Sequence, residues 1–558
     1  MGPFPRGAVD EMSDRRLLLL LLAALTVLLF LELPGSWLFE PDEARYAEIP
    51  REMLATGNWL VPKLNGVDYF EKPPLTYWAS AISIGVLGHN PFAARLPERL
   101  AIVGTALLML AALRKPFGER VALLSALAFL SSPLVFSLGR VALTDGVLTF
   151  TMALTLFSLH RFLLATAEDR PARGAAALAG LGCGLSLLDK GLIGLVLPGG
   201  AFVFWCLMRR DARPVGRVLL SWAPVTCLTA AVPYFVAVEK AAPGFSKFFW
   251  VHEHFARYAT AEASRPGAWW YFLVTFLVGM LPWTFFSSRL GRRLWWSRRR
   301  ETVPDASDLW FALWFSVIIV FFSLSHSKLT PYLLPACPAA AVLFARLLDA
   351  NLRSGEKTPS RPLAFHALFW TIVAPAGFVL LIRGGELARY GVAALAAFAL
   401  GALVITAWAG AFASKRRPLA GIGVVVAGWC IFYAALIVAL PAVAVDQSAH
   451  DLAVAAGRAA GSDAEVVCYH TYLQGFPWEL ERRVRIFGWK GELAFGSARG
   501  GQASWFPSRD AFWKEWDSSK KMVALLRKKD RSDMYGHRAE LVAQNRKFFV
   551  VKNFPAGP

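Results

Sequence analysis

The chain is 558 residues long, 56% hydrophobic and only 18% charged, a balance that excludes an ordinary soluble multidomain protein. A formal charge of +19 would suit a nucleic-acid binder, but the Lys and Arg residues sit in short clusters between apolar runs. That distribution is what membrane orientation requires, and it argues against nucleic acid.

Read in chain order, apolar runs able to cross a ~30 Å hydrocarbon core fall at 17–33, 96–113, 119–138, 142–164, 174–188, 191–208, 216–238, 268–287, 308–325, 331–348, 363–382, 389–412 and 419–441, thirteen in number. The first has no small-residue cleavage site after it and reads as a retained span. A further run, 75–87, is short and opens at Pro73-Pro74. Laid flat on the surface, it leaves every second connection basic: Arg15-Arg16, Arg114-Lys115-Arg120, Arg170-Arg173, the Arg209 to Arg217 cluster, Arg289 to Arg300, Arg353 to Arg361, and Lys415-Arg416-Arg417. The positive-inside rule then predicts thirteen spans, an inside N-terminus and an outside C-terminus. The inside clusters need no function beyond topology and contact with anionic membrane lipids. Cysteines 183, 206, 227, 337 and 430 lie in or beside spans and Cys468 stands alone in the tail, so no disulfide or zinc-cysteine framework is expected.

The outside connections carry the unusual chemistry. The first, within 34–95, packs acids, bases and aromatics together, and irregular backbone of this kind belongs at the membrane surface or along a cavity. Asp42 and Glu43 follow Pro41 and open a helical pattern over 43–55. Capping of a helix N-terminus explains one of these acids, and a catalytic role is the alternative for both. Arg45 lies one turn from Asp42, close enough for an ion pair or a shared anion, and Tyr46 follows. Further on, Tyr69, Glu71 and Lys72 precede two prolines that stiffen the backbone. A fixed ammonium at the membrane edge suits a phosphate, against snorkelling to headgroups as the plain reading. Asp145, in RVALTD, opens a span, where an acid is either paired or functional.

Two later connections add to this set. In 250–258, His252 and His254 are two residues apart and do not share a helical face, so they do not make a metal site by themselves. One of them joining Glu71 is the alternative, and Arg257 is a second phosphate cation. Tyr332, in HSKLTPYLLP, is either an interfacial belt residue or a phosphate or sugar contact. From 446 the chain becomes charged, with short β-like runs at 465–469, 483–487, 522–526 and 548–551 and a helical pattern over 449–460. This predicts a small α/β domain outside the membrane, read as a docking or capping domain.

Together, PDEARYAEIPREMLATGNWLVPKLNGVDYFEKPPLTYW, RVALTD, LLDKG, FFWVHEHFARY and HSKLTPYLLP resemble the lipid-linked glycosyltransferases of the protein-mannosyltransferase-like superfamily. They are most similar to the ArnT-type aminoarabinose transferases of Gram-negative bacteria. The resemblance implies a polytopic helical domain over 1–445, with surface-lying helices in its first periplasmic loop, and a periplasmic α/β domain over 446–558. It implies transfer of 4-amino-4-deoxy-L-arabinose or a related sugar from undecaprenyl phosphate to a lipid A phosphate, with inversion, at the periplasmic side of the inner membrane. By the same resemblance Asp42 sits at the reaction centre, and Asp145 matches a second acidic position. Lys72, Arg45 and Arg257 bind the carrier phosphate, Tyr46, Tyr69 and Tyr332 line its pocket, and Glu71 with His252 hold a structural zinc. Transfer to protein, as in O-mannosylation, is the alternative within enzymes. A lipid transporter or flippase is the alternative outside them, disfavoured because the charges sit at span ends on one face rather than at the midplane.

Overall fold

The computed structural model describes residues 6–256, 267–289, 307–353, 360–499 and 502–555. Arg257 lies outside the described residues, as does the side chain of His252. Lipid offers the backbone no hydrogen-bond partner, so apolar runs become helices. They run α1 (Arg6–Phe30), α2 (Asp42–Thr56), α3 (Leu75–Leu87), α4 (Pro91–Phe117), α5 (Glu119–Leu130), α6 (Pro133–Leu138), α7 (Asp145–Ala167), α8 (Arg173–Lys190), α9 (Ile193–Arg209), α10 (Arg213–Leu219) and α11 (Trp222–Ala241). Further helices follow, up to Pro418–Gln447 and, in the tail, His450–Ala460. Among the described residues, eight helices are long and apolar enough to cross a membrane: α4, α7, α11, Thr330–Arg353, Ser307–Leu324, Ser360–Arg383, Ala393–Ala413 and Pro418–Gln447. Other apolar runs of the sequence are helical but shorter or broken, or, in α1 and α8, long enough but charged at an end. The run 119–138 divides at Ser131-Ser132 into α5 and α6, and 268–287 divides after Gly279. The fold class is a polytopic α-helical membrane protein with a small α/β domain.

The chain forms two compact units, one from Met1–Leu31 with Glu98–Ala439, the other from Glu32–Pro97 with Leu440–Pro558. In the first unit, α8 is built from small residues, which lets its neighbours approach closely. A Cβ on Gly180 would lie 1.9 Å from the Ala223 carbonyl of α11, and one on Gly182 would lie 2.8 Å from the Thr151 carbonyl of α7. That packing sets the position of the last α8 residues, Asp189 and Lys190, beside the start of α7.

The second unit joins the first loop, with its short strands β1 (Lys63–Leu64) and β2 (Val67–Asp68), to the tail. Its sheet has the order β4-β3-β5-β7-β6, with β3 (Glu465–Tyr469), β4 (Arg485–Phe487), β5 (Met522–Arg527), β6 (Glu540–Gln544) and β7 (Phe548–Lys552). Strands β4, β3 and β5 are parallel, and β7 is antiparallel to both β5 and β6. Alternate residues face opposite layers, as a strand requires. Val466, Cys468, Val523 and Leu525 pack on Leu452, Ala453 and Ala456 of the tail helix, and Val467, Tyr469 and Leu526 pack on Phe512 and Trp516. Ile49 and Met53 of α2, with Leu64, Val67, Tyr69 and Tyr77, enter the first of these cores. Lys63–Leu64 and Val67–Asp68 pair as a two-residue hairpin whose turn residues, Asn65 and Gly66, have φ of 52° and 73°, the geometry Asn-Gly favours. Asn65 then clamps the tail: its amide nitrogen donates to the Val484 carbonyl at 2.8 Å, and its side-chain oxygen accepts from the Val484 amide at 2.9 Å.

Candidate active site

In the second unit, four candidates of the first loop, Asp42, Tyr46, Tyr69 and Glu71, gather around Arg45. It lies on α2 and is 9% exposed. Its guanidinium reaches Asp42 Oδ1, three residues back, at 3.3 Å and Glu492 Oε2 of the tail at 2.7 Å, while its Nε has no hydrogen-bond partner among the described residues. It also lies 6.0 Å from the Tyr46 ring. Glu492 is held in turn by the side-chain amide of Gln474. Asp42 stays partly open, with 42% of its side chain exposed. Lys72 donates to the carbonyl of Glu71 at 2.9 Å, which pins the ammonium to the backbone just ahead of Pro73-Pro74 and the start of α3.

Burial sets the electrostatics of this cluster. It pushes the Tyr69 phenol well above its usual range, helped by the nearby charge of Glu71, against the pull of Arg45. It raises Glu492 as well, although Arg45 opposes the rise. Burial works against the charge on Arg45 itself, but the facing acidic groups of Tyr69, Glu492, Tyr46 and Glu71 outweigh it and keep the cation secure. Glu40 is pushed up to about 7 by burial, against the two backbone amides and the arginine that favour its ionised form.

Glu43, next to Asp42 in sequence, has a different environment. A helix turns about 100° per residue, and this one points inward at 2% exposure. Arg95 Nε donates to its Oε1 at 2.8 Å and Arg95 Nη2 to its Oε2 at 2.7 Å. The Phe39 amide adds a third bond at 3.0 Å, and Glu32 bonds the other side of Arg95 at 2.5 Å. Glu43 thus anchors the start of α2.

The first unit holds a second cluster. Lys190, at the end of α8, reaches Asp145 Oδ1 at 2.5 Å, with 9% of each side chain exposed, and its ammonium lies 5.6 Å from the Tyr332 ring. Asp145 and Tyr332, two of the sequence candidates, are therefore brought together through a lysine. Asp145 is the first residue of α7, and Glu98 of α4 seals that helix end: its Oε2 accepts the Gly146 amide at 2.6 Å. Lys328, in the same motif as Tyr332, donates to the carbonyls of Phe322, Ser323 and Ser325 at 3.2, 2.6 and 2.8 Å. It closes the end of helix Ser307–Leu324 and so holds the segment that carries Tyr332.

Glu98 and Glu492 were not among the sequence candidates, and Lys190 entered only within LLDKG, with no role given to it. For Lys190 the signal was present, since an ammonium ending an apolar run needs a partner, and Asp145 was already in hand. Glu492 gives no local signal, because its partner lies 447 residues away in sequence. As for zinc, among the described residues no three His, Cys, Asp or Glu side chains gather as a metal site needs. Glu71 supplies a single carboxylate against the three or four ligands zinc takes, so the described residues do not by themselves form a zinc centre.

Residues 17–249 match the family model of dolichyl-phosphate-mannose-protein mannosyltransferases, and residues 452–553 match that of the aminoarabinose transferase C-terminal domain. The chain is 30% identical over 528 residues to the undecaprenyl phosphate-alpha-4-amino-4-deoxy-L-arabinose arabinosyl transferase of Pectobacterium carotovorum subsp. carotovorum, covering 92% of each. It is 32% identical over 531 residues to the corresponding transferase 1 of Sodalis glossinidius, again over 92% of each. Its fold is similar to the crystal structure of ArnT from Cupriavidus metallidurans bound to undecaprenyl phosphate, with a TM-score of 0.86, 28% identity, and coverage of 97% of this chain and 99% of that one.

Proposed function

The chain belongs to the undecaprenyl phosphate-alpha-4-amino-4-deoxy-L-arabinose arabinosyl transferase family, and from that premise we propose that it moves an aminoarabinose from undecaprenyl phosphate to a lipid A phosphate at the periplasmic face of the inner membrane. The observation that carries this reading is its full-length likeness to a relative bound to undecaprenyl phosphate. The tail favours it over transfer to protein. The mannosyltransferase model accounts for residues 17–249 only, while the aminoarabinose transferase C-terminal domain accounts for 452–553.

In this reading the carrier phosphate is the leaving group. Lys72, Arg45 and Arg257 neutralise the charge that grows on it as the anomeric carbon–oxygen bond breaks, and Tyr46, Tyr69 and Tyr332 line its site. An acceptor phosphate oxygen attacks the anomeric carbon from the opposite face and inverts it. A phosphate monoester has a second pKa near ~6, so the acceptor is largely ionised at neutral pH and needs little help from a base. Asp42 then orients the reactants and stabilises the positive charge of the oxocarbenium-like sugar. Asp145, fixed by Lys190, is a second acid of the same machinery.

Reconstitution of the purified full chain with undecaprenyl-phosphate-linked aminoarabinose and lipid A, read by mass spectrometry, tests the proposal. Lipid A should gain the mass of one amino-pentose. Transfer to a protein acceptor, with lipid A unchanged, would replace this reading with the mannosyltransferase-like one.

A further inference from the structure

The two ends of the tail sheet differ in how their charges are used. At the end where β3 and β5 begin, cations have carboxylate partners: Arg485 with Glu465 and Glu515, Lys520 with the same two acids, Lys521 with Asp463, and Lys552 with Glu540. At the opposite end, where β3, β4 and β5 finish, it is the acids that are taken. Asp530 is held by Arg527, Asp533 by Arg509 and Glu492 by Arg45. Lys490, Lys528, Lys529, Arg531 and Lys547 are exposed there, and none has an ion-pair partner among the described residues. An exposed acid, Asp510, offsets one of these charges.

The fold brings these cations together. The Lys528 amide donates to the Lys547 carbonyl at 2.8 Å, which joins the segment after β5 to the β6–β7 turn. Arg546 lies exposed on the same turn. In open α/β sheets, ligands bind beyond the carboxyl ends of the parallel strands. Here that end also carries the loops after β3 and β4, which supply Gln474 and Glu492 to the cluster around Arg45. Neighbouring strands lie about 5 Å apart, so the unpaired cations stand one to three strands, roughly 5–15 Å, from those loops.

We propose that this cationic end of the tail sheet, Lys528, Lys529, Arg531 and Lys547 above all, is a docking surface for the phosphorylated headgroup of the glycolipid acceptor. It holds phosphates of the acceptor other than the one that reacts. The inference rests on the acceptor class proposed above. Anionic phospholipid offers the same chemistry, but the patch shares its end of the sheet with the loops that reach Arg45, and this favours the acceptor.

The test uses the full chain in nanodiscs of zwitterionic lipid, comparing wild type with a Lys528→Gln, Lys529→Gln, Lys547→Gln variant. A Lys520→Gln, Lys521→Gln variant at the other end of the sheet is the control. Binding of fluorescent lipid A should weaken at least about tenfold in the triple variant and lose much of its salt dependence. The KM for lipid A should rise while kcat and the donor KM hold, and the control should match wild type in each respect. Unchanged lipid A affinity would overturn the proposal, as would equal loss in the control or equal competition by phosphatidylglycerol. If lipid A binding weakens as expected but no sugar is ever transferred to lipid A, the proposed reaction fails and the docking surface stands.

Discussion

Glu40 offers a direct test of how the first loop is held to the tail. Its Oε1 accepts the Gly475 amide at 2.6 Å and its Oε2 the Gln474 amide at 3.1 Å. Burial raises its carboxyl from the usual 4.5 to about 7, so the folded protein holds this proton more tightly than the unfolded chain does. The contribution to stability is therefore full below about pH 4.5, falls as pH rises, and is lost above about 7. A shift of that size corresponds to about 3 kcal/mol at most, and the residue's partial access to water lowers it. Glu48, Glu52, Glu479 and Glu492 are also raised by burial and tilt the wild-type curve the same way, so the informative quantity is a difference. Glu40→Gln cannot titrate and sacrifices one of the two backbone bonds, about 1 kcal/mol at any pH. Thermal melts of the full chain in detergent at pH 4 and pH 8 should show the variant less stable than wild type at pH 4, with the gap closing or reversing at pH 8. A gap that is constant, or that widens toward pH 8, would refute the argument.

Lys72→Ala should lower kcat on the order of a hundredfold, as expected for loss of a donor to a leaving group, with expression and melting close to wild type. Near-normal turnover would count against its role at the phosphate. Lys190→Ala leaves the Asp145 carboxylate buried without its ammonium and should cost about 3–5 kcal/mol in a denaturation midpoint. Adding Asp145→Asn should recover stability but not transfer, and recovered transfer would make the pair purely structural. Gly146→Ala places a Cβ 2.0 Å from Glu98 Oε2, so it should break the cap on α7 and cost about 1–3 kcal/mol. A melting temperature within a degree of wild type would show that α4 yields easily there.

Much of this architecture was legible because two of its signals are local. Apolar runs and their basic connections gave the helices of the first unit. Short, continuous apolar runs gave β3 and β5 almost to the residue, and the reading of 449–460 as a helix agrees with His450–Ala460. Strand β6 was missed for a physical reason: it is an edge strand with no residue fully buried, so it carries no apolar alternation. The Asn65-Gly66 hairpin was missed because its strands are two residues each, too short for periodicity to register. Span breaks such as Ser131-Ser132 escape hydropathy because both hydroxyls bond carbonyls one turn back, Leu127 and Ala128, and so are cheap to bury.

The site was legible by residue type and not by partner, and α2 shows why that matters for the role of the tail. Adjacent acids on this helix do different work: Asp42 faces Arg45, while Glu43 is locked to Arg95. Farther along, Glu48 takes two bonds from Arg51, at 2.6 and 2.7 Å, and Glu52 accepts the Gly66 amide at 2.9 Å. Charges this deeply placed are stable only when each is met by a partner, and the tail supplies one for Arg45 through Glu492. From sequence the tail reads as a cap or docking module. The ion pair to Arg45 and the amide bonds to Glu40 give it a further part, as the support that holds the loop's cation in place. In the proposed reading Arg45 meets the carrier phosphate, and a guanidinium fixed beforehand binds it at lower cost, so on that reading disturbance of Glu492 should reach donor binding although it lies in a separate stretch of chain.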